Sequence, residues 1–277
     1  MSICRAIRRA GHRVANRSST DGIPANLGAQ IFAPGWSGIC RTTRKVANQK
    51  RLIRVACRTV AVSVGLAAGA YASCAAVAWL RYGHARGTAG HVHDSFLDRF
   101  MPAWDVVERH QVRVAAPSDV SFSAACELDL QRSALIRAIF TARAKLLRSA
   151  PDVSNRPRAL VAWAKTLGWG VLAELPGREI VMGAVTRPWD ANVVFREVSP
   201  EQFALFNEPD YVKIAWTLRA DPAADGASVA RTETRAVATD PMARRKFRRY
   251  WAFFSPGIVL IRREALRLVK ADAERRT

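Results

Sequence analysis

Acidic side chains are almost missing from the first third of the chain. Residues 1–93 contain one Asp or Glu against 14 Lys or Arg, whereas residues 94–277 contain 22 and 29. The net charge of +20 is therefore concentrated towards the N-terminus. Such an excess is typical of proteins that bind nucleic acid or an anionic membrane. Because 36 of the 43 basic residues are Arg and Ala is abundant, a GC-rich coding bias explains it equally well, and no specific nucleic-acid binding is predicted.

Cysteine and the common catalytic motifs are also scarce. Five Cys without a regular spacing exclude a disulfide scaffold, and Cys126 alone follows the first third of the chain. The sequence has no G-x-S-x-G, no Walker lysine motif and no Cys or His pairs with zinc spacing. His91, His93 and Asp94 lie in a Gly-rich segment that offers nothing to orient them as ligands. No catalytic residue, cofactor or metal is therefore predicted.

Charge is missing altogether from residues 59–80, which are bracketed by Arg58 and Arg81. As a helix these 22 residues would extend about 33 Å, enough to cross a hydrocarbon core of about 30 Å. Trp79 and Tyr82 stand where aromatic residues meet the membrane interface. We predict a transmembrane helix. A helix in a soluble core and a cleaved signal peptide remain the alternatives, since Ala76-Val77-Ala78 is a small-x-small site.

The residues flanking this helix predict its orientation. Seven basic residues precede it within about 18 positions and three follow it. The positive-inside rule then predicts a single-pass protein of the bacterial inner (plasma) membrane, with its N-terminus cytoplasmic and its C-terminal domain outside. Gly65, Gly69 and Ser73 recur every four residues on one helix face, a spacing that allows weak homodimerisation through the membrane.

Composition divides the chain into five segments. The first mixes Arg with Gly, Pro, Ser and Asn, is predicted to be disordered, and is hypothesised to reflect a gene start placed too early. The last segment is the folded domain. The segments are a basic extension (1–45), a basic juxtamembrane segment (46–58), the transmembrane helix (59–80), a linker (81–103) and the domain (104–277).

The domain begins with a strand, continues with two helices and a run of antiparallel strands, and ends in one long helix. Asp240 and Pro241 open this last helix as a cap and a first-turn proline, and Pro256-Gly257 is predicted to interrupt it. The predicted strands are 105–116, 171–175, 178–186, 192–198, 211–220 and 228–239, and the shorter helices 119–128, 133–147 and 159–167.

This order resembles the α+β helix-grip fold of the SRPBCC superfamily, in which an antiparallel sheet wraps around a long C-terminal helix. The superfamily includes the StAR-related lipid-transfer (START) domains, polyketide cyclases and pollen-allergen-like proteins. Uncharacterised bacterial members with one N-terminal membrane helix are also similar. The resemblance rests on Val114-Ala115-Ala116-Pro117 with Asp119, on Arg231–Arg235, and on Arg248-Arg249-Tyr250-Trp251.

The resemblance implies a cavity between the sheet and the last helix. It favours a membrane-anchored module that binds or transfers a lipid or other hydrophobic small molecule over an enzyme. The alternatives are a cyclase- or hydrolase-like enzyme that uses cavity residues, and a membrane-associated structural protein. The candidate cavity residues are Trp216, Met182, Phe247, Tyr250, Phe254, His110 and Glu233.

Overall fold

The computed structural model describes residues 37–83, 95–150 and 157–277, with side chains from residue 54 in the first range and 96 in the second. The chain divides into two compact units, Met1–Thr59 and Val60–Thr277, and the sheet with its covering helices belongs to the second. Residues 1–36 of the predicted extension lie outside the described residues. His91, His93 and Asp94 do so as well.

The first helix, α1, covers Ser37–Arg81. It begins within the predicted extension, so residues 37–45 are helical and not disordered, because after Gly38 this stretch contains neither Gly nor Pro. Among the described residues, Arg54–Arg81 is the one helical segment long and apolar enough to cross a membrane. The apolar side chains of this segment are exposed, and the exposed fraction of Leu66 is 72%.

A six-stranded antiparallel sheet forms the centre of the domain. It confirms the predicted α+β class, and every predicted strand has a counterpart in it. The order across the sheet is β1-β6-β5-β3-β2, with β4 paired to β3. The strands are β1 (Val106–Val114), β2 (Gly170–Leu175), β3 (Glu179–Thr186), β4 (Phe195–Arg196), β5 (Val212–Pro222) and β6 (Ser228–Ala238).

The strand register defines the two faces of the sheet, because directly paired residues point to the same side. His110 pairs with Thr232, Thr234 with Trp216, and Trp216 with Met182, so these residues share the inner face. Helices cover this face: α3 and α7 pack against the strands, and α4 packs against α7. The helices are α3 (Ser118–Cys126), α4 (Ala134–Leu147), α5 (Leu160–Thr166) and α7 (Pro241–Ala273).

The C-terminal helix α7 is the longest element of the domain. Asp240 caps it as predicted, accepting hydrogen bonds from the backbone N–H groups of Met242 at 2.7 Å and Ala243 at 3.0 Å. The helix runs through Pro256-Gly257, so the predicted interruption is wrong. At Gly257 the helix α4 packs closely against α7, since a Cβ there would lie 3.3 Å from Ile139 Cγ2.

The outer face of the sheet is covered by two short helices, α2 (Ser95–Phe100) and α6 (Pro200–Phe203). Leu97 and Met101 are almost completely buried there and belong to one apolar cluster with Phe203. Within the predicted linker 81–103, residues 95–100 form a helix, and Leu97, Phe100 and Met101 belong to the core, because burying these apolar side chains removes them from water.

The end of α1 joins the sheet at one buried carboxylate, Asp105, which is 3% exposed. The backbone N–H of Gly83 donates to the Asp105 carbonyl at 2.9 Å. The Asp105 carboxylate accepts from Ala238 N at 2.9 Å and pairs with Arg244 at 2.7 Å. The last turn of α1, the end of β6 and the first turn of α7 are thus held by the same residue.

Candidate functional site

A cavity of about 1400 Å³ lies between the inner face of the sheet and the helices α4, α5 and α7. Apolar and aromatic side chains form most of its wall. The sheet contributes Val106, Ile214, Trp216, Leu218, Ala230, Thr232, Thr234 and Ala236, and α7 contributes Phe247, Tyr250, Trp251, Ile258, Ile261, Arg262, Ala265, Leu266 and Val269.

The floor of the cavity is built on β5 and β6, whose inner-face residues alternate with outward ones. Trp216 stands near its centre and meets Trp169 edge to face, with ring centroids 5.8 Å apart. Trp169 in turn stacks on Phe195 at 4.9 Å. Three aromatic rings therefore continue from the sheet to the outer wall, and such rings supply a large apolar contact area to a bound molecule.

The roof is one face of α7. Phe247, Trp251, Ile258 and Ala265 line the cavity, and their spacing is that of a helix face turned to one side. Phe247 lies 6.0 Å from Trp251 between ring centroids. The roof thus presents aromatic rings near the start of α7 and aliphatic side chains towards its end.

The rim lies between the end of α4 and the segment 188–195. It is defined by the exposed lining residues Lys145, Arg148 and Val194, the last 74% exposed. The backbone N–H of Ala150 donates to the Asn192 side-chain oxygen at 2.9 Å, which links the two sides of the rim. Among the described residues, basic side chains and several exposed apolar residues therefore border the opening.

One charged side chain, Arg262, extends from α7 into the cavity wall. Its Nη1 donates to the Thr232 hydroxyl at 3.3 Å, and its Nε has no hydrogen-bond partner among the described residues. Burial lowers the pKa of Arg262 to about 10, against the opposing effect of Glu108. The Thr234 hydroxyl beside it also has no partner within the described part of the chain. The cavity therefore holds a small polar patch of Arg262, Thr232 and Thr234.

Three of the sequence-predicted residues, Trp216, Phe247 and Tyr250, line the cavity. Met182 is fully buried in the core beside Trp216 and is not part of the wall. Phe254 stacks on Tyr250 at 4.8 Å, outside the lining. The prediction that Met182 and Phe254 line the cavity is therefore wrong. Their neighbours Trp216 and Tyr250 line it instead.

His110 points to the inner face, as the strand alternation predicts, but it does not line the cavity. Its Nε2 lies 3.4 Å from Glu108 Oε2 and has no hydrogen bond within the described residues. β1 is an edge strand that packs against α7, so His110 lies beneath that helix and not in the open space. The prediction that it is a cavity residue is therefore wrong.

Glu233 lies on the opposite, outer face, and the prediction that it lines the cavity is wrong. It accepts from Arg109 Nε at 2.8 Å and from Arg235 Nε at 2.7 Å. Arg235 is 1% exposed, contacts the Asp98 carboxylate at 2.6 Å and donates to the Met101 carbonyl at 2.7 Å. The sequence alternation predicts that Glu233 and Arg235 share one face of the sheet, but it does not predict which face lines the cavity. This ionic cluster ties α2 to the sheet.

The proposed helix-packing residues Gly65 and Gly69 face open space, since a Cβ at either position would meet nothing within 4 Å. Ser73 donates its hydroxyl to the Gly69 carbonyl at 2.9 Å. Self-association through this face stays a prediction.

Sequence reasoning missed Arg262, although a signal was present. Arg262 falls among the apolar positions Ile258, Ile261 and Ala265, so a charge interrupts the apolar stripe of α7.

Sequence reasoning also missed Trp169 and Phe195. Their contact forms because the tertiary structure brings the turn that contains Trp169 next to β4. Burial raises the pKa of the Cys126 thiol to about 12, which disfavours the reactive thiolate. The described residues contain no cluster of three metal-ligating side chains.

No family model and no curated protein matches this chain. Among solved structures, a protein from Chromobacterium violaceum is 15% identical, with 61% of this chain and 96% of that one covered and a TM-score of 0.30. A hypothetical protein from Helicobacter pylori is 8% identical, with 68% and 99% covered and a TM-score of 0.34. CalU16 from Micromonospora echinospora is 14% identical, with 61% and 94% covered and a TM-score of 0.22. The helix-grip interpretation therefore rests on the strand order and the long C-terminal helix of this chain.

Proposed function

We propose that this protein is a membrane-anchored START-like module that binds a lipid or other hydrophobic small molecule. The observation that carries the proposal is the cavity of about 1400 Å³. Pockets for drug-sized ligands have volumes of about 300–1,000 Å³. A larger space lined mainly by apolar side chains suits a molecule with a long or bulky apolar body, which water solvates poorly.

A contact between the end of α1 and the start of α7 supports placement of this cavity beside a membrane. Arg248 donates to the Trp79 carbonyl at 3.0 Å and lies 4.2 Å from the centre of its ring. Aromatic and basic side chains of this kind favour the membrane interface. We place the start of α7, and with it the cavity roof, at that interface.

Purified full-length protein in detergent is expected to carry one bound hydrophobic molecule, since an empty apolar cavity of this size gains free energy when filled. Native mass spectrometry would detect the adduct, and solvent extraction would identify its chemical class. The double variant Ala144→Trp/Ala265→Trp adds indoles to two walls of the cavity and should lose the adduct.

Ala142→Trp is the matched control for this experiment. Ala142 is exposed on the same helix as Ala144 and does not line the cavity, so its variant should retain the adduct. Wild-type protein that is folded, carries nothing and takes up no added lipid would contradict the proposal.

The orientation of the chain gives a separate prediction. Alkaline phosphatase fused after Thr277 should be active and green fluorescent protein at the same position should be dark, because the more basic flank of a membrane helix stays in the cytoplasm. Replacing Lys50, Arg51, Arg54 and Arg58 by Gln should reduce the phosphatase signal. Bright fluorescence of the wild-type fusion would place the domain in the cytoplasm instead.

A further inference from the structure

The charges that line the cavity are all of one sign. Among the described residues of its wall, six are Lys or Arg and none is Asp or Glu. Arg219 and Arg231 are paired with Asp221 behind the wall, at 2.8 Å and 3.5 Å. Lys145 and Arg148 lie at the rim. Arg143 donates to the Pro188 carbonyl at 3.4 Å. Arg262 differs from these five because it stands within the apolar stripe of α7 and forms no ion pair with any described residue.

The surroundings of Arg262 leave much of its hydrogen-bonding capacity unused. A guanidinium has five N–H donors in a planar fork. One of them reaches the Thr232 hydroxyl at 3.3 Å, while Nε has no partner within the described part of the chain. Glu108 is the nearest opposing charge from β1, and it favours the charged form of Arg262 without contacting it. The Nε is buried although Arg262 as a whole is half-buried, and a buried donor without a partner is unfavourable unless something else supplies an acceptor.

Two hydroxyls complete this patch. Thr232 and Thr234 are two residues apart on β6 and therefore both point to the inner face of the sheet, which α7 covers. The Thr234 hydroxyl has no partner among the described residues. A guanidinium fork in contact with one hydroxyl, with a second unpartnered hydroxyl on the same wall, matches the acceptor oxygens of a carboxylate or phosphate, which Arg binds in bidentate fashion.

We propose that the ligand of this cavity is an anionic amphiphile, whose carboxylate or phosphate pairs with Arg262 while its apolar body lies against the aromatic floor and roof. This inference rests on the proposed function and specifies its ligand class. It accounts for an Arg without an ion-pair partner among the described residues within the apolar stripe of α7.

The test compares probes that share one apolar chain and differ in head-group charge. Full-length protein in dodecyl maltoside is titrated with oleate and oleyl alcohol, and with oleoyl lysophosphatidate and monoolein, by native mass spectrometry. Wild-type protein should bind one or both anionic probes about tenfold more tightly, or more, than their neutral partners, as a charge-assisted hydrogen bond in a dry site allows. Preference for oleate would indicate a carboxylate site, and preference for lysophosphatidate a phosphate site.

Arg262→Gln should abolish this preference, so that the ratio of the affinities for the anionic and neutral probes falls to about one. Arg263→Gln is the matched control, since Arg263 is the next residue of α7 and is exposed; it should retain the preference. Arg262→Lys keeps the charge without the planar fork and should retain part of it. If Arg262→Gln does not fold, the proposal is still tested by the preference of the wild-type protein for charged probes and by its reduction in Arg262→Lys.

The outcomes separate the two proposals. Equal binding of charged and neutral probes by the wild-type protein would overturn the head-group inference and leave the binding module intact. A preference that survives in Arg262→Gln would overturn the role of Arg262. Failure of all four probes, together with the absence of any co-purified molecule, would overturn the proposed function itself.

Discussion

Replacing Arg235 by Ala is expected to destabilise the domain by about 3–5 kcal/mol, the usual effect of removing one partner from a buried ion pair. Arg235 is 1% exposed, contacts Glu233 and Asp98, and lies 4.2 Å from the centre of the Trp104 ring. In a domain of this size each kcal/mol lowers the thermal midpoint by about 2–4 °C. Thermal unfolding followed by circular dichroism should therefore show a drop of about 6–20 °C.

Arg178→Ala is the control for this prediction. Arg178 also pairs with a carboxylate, Asp221 at 3.2 Å, but its side chain is 47% exposed. Exposed pairs contribute about 0–1 kcal/mol, so its thermal midpoint should shift by no more than about 4 °C. Equal shifts in the two variants would contradict the assignment of Arg235 as the main link between α2 and the sheet.

Gly168→Ala is expected to destabilise the protein by at least about 2 kcal/mol and to weaken ligand retention. Gly168 has φ +97°, and a Cβ there would lie 2.1 Å from the Phe195 carbonyl oxygen. The backbone of Phe195 must therefore move. Because Phe195 stacks on Trp169, which also lines the cavity, that movement opens the aromatic wall.

Gly177→Ala separates backbone strain from this clash. Gly177 also has positive φ, at +71°, but a Cβ there would meet nothing within 4 Å. Its variant should show only the strain of a left-handed residue, about 1–2 kcal/mol, with ligand retention unchanged. Denaturant unfolding and the adduct signal in native mass spectra would measure both quantities. Loss of the adduct in Gly177→Ala would show that the effect at Gly168 is not local.

Local patterns were sufficient to predict most of the sheet and the start of α7. The alternation of β5 and the cap at Asp240 are properties of neighbouring residues, and both appear in the structure. The covering of the outer face was missed because the Gly-rich stretch before Ser95 dominated the interpretation of residues 81–103. Leu97, Phe100 and Met101 have helical spacing and carried the signal for α2.

The cavity was predictable only in part, because its wall depends on contacts between distant segments. The aromatic stripe of α7 gave Phe247 and Tyr250, and the alternation of β5 gave Trp216. Alternation shows which residues share a face but not which face is covered by α7, and this is why Glu233 was misplaced. Arg262 lies among the apolar positions of α7 that face the cavity, a signal that was present in the sequence but was not used.

The junction at Asp105 limits what an anchored domain can reach. Gly83, just after α1, donates to the backbone carbonyl of this residue, and Arg244 of α7 pairs with its carboxylate, so the end of α1 is attached directly to the domain. With α1 held in a bilayer, as proposed, the cavity stays at a fixed height above its own membrane. A protein anchored in this way would act as a stationary dock and not as a shuttle between two membranes. Its cargo would then arrive by diffusion within that bilayer or on a separate carrier.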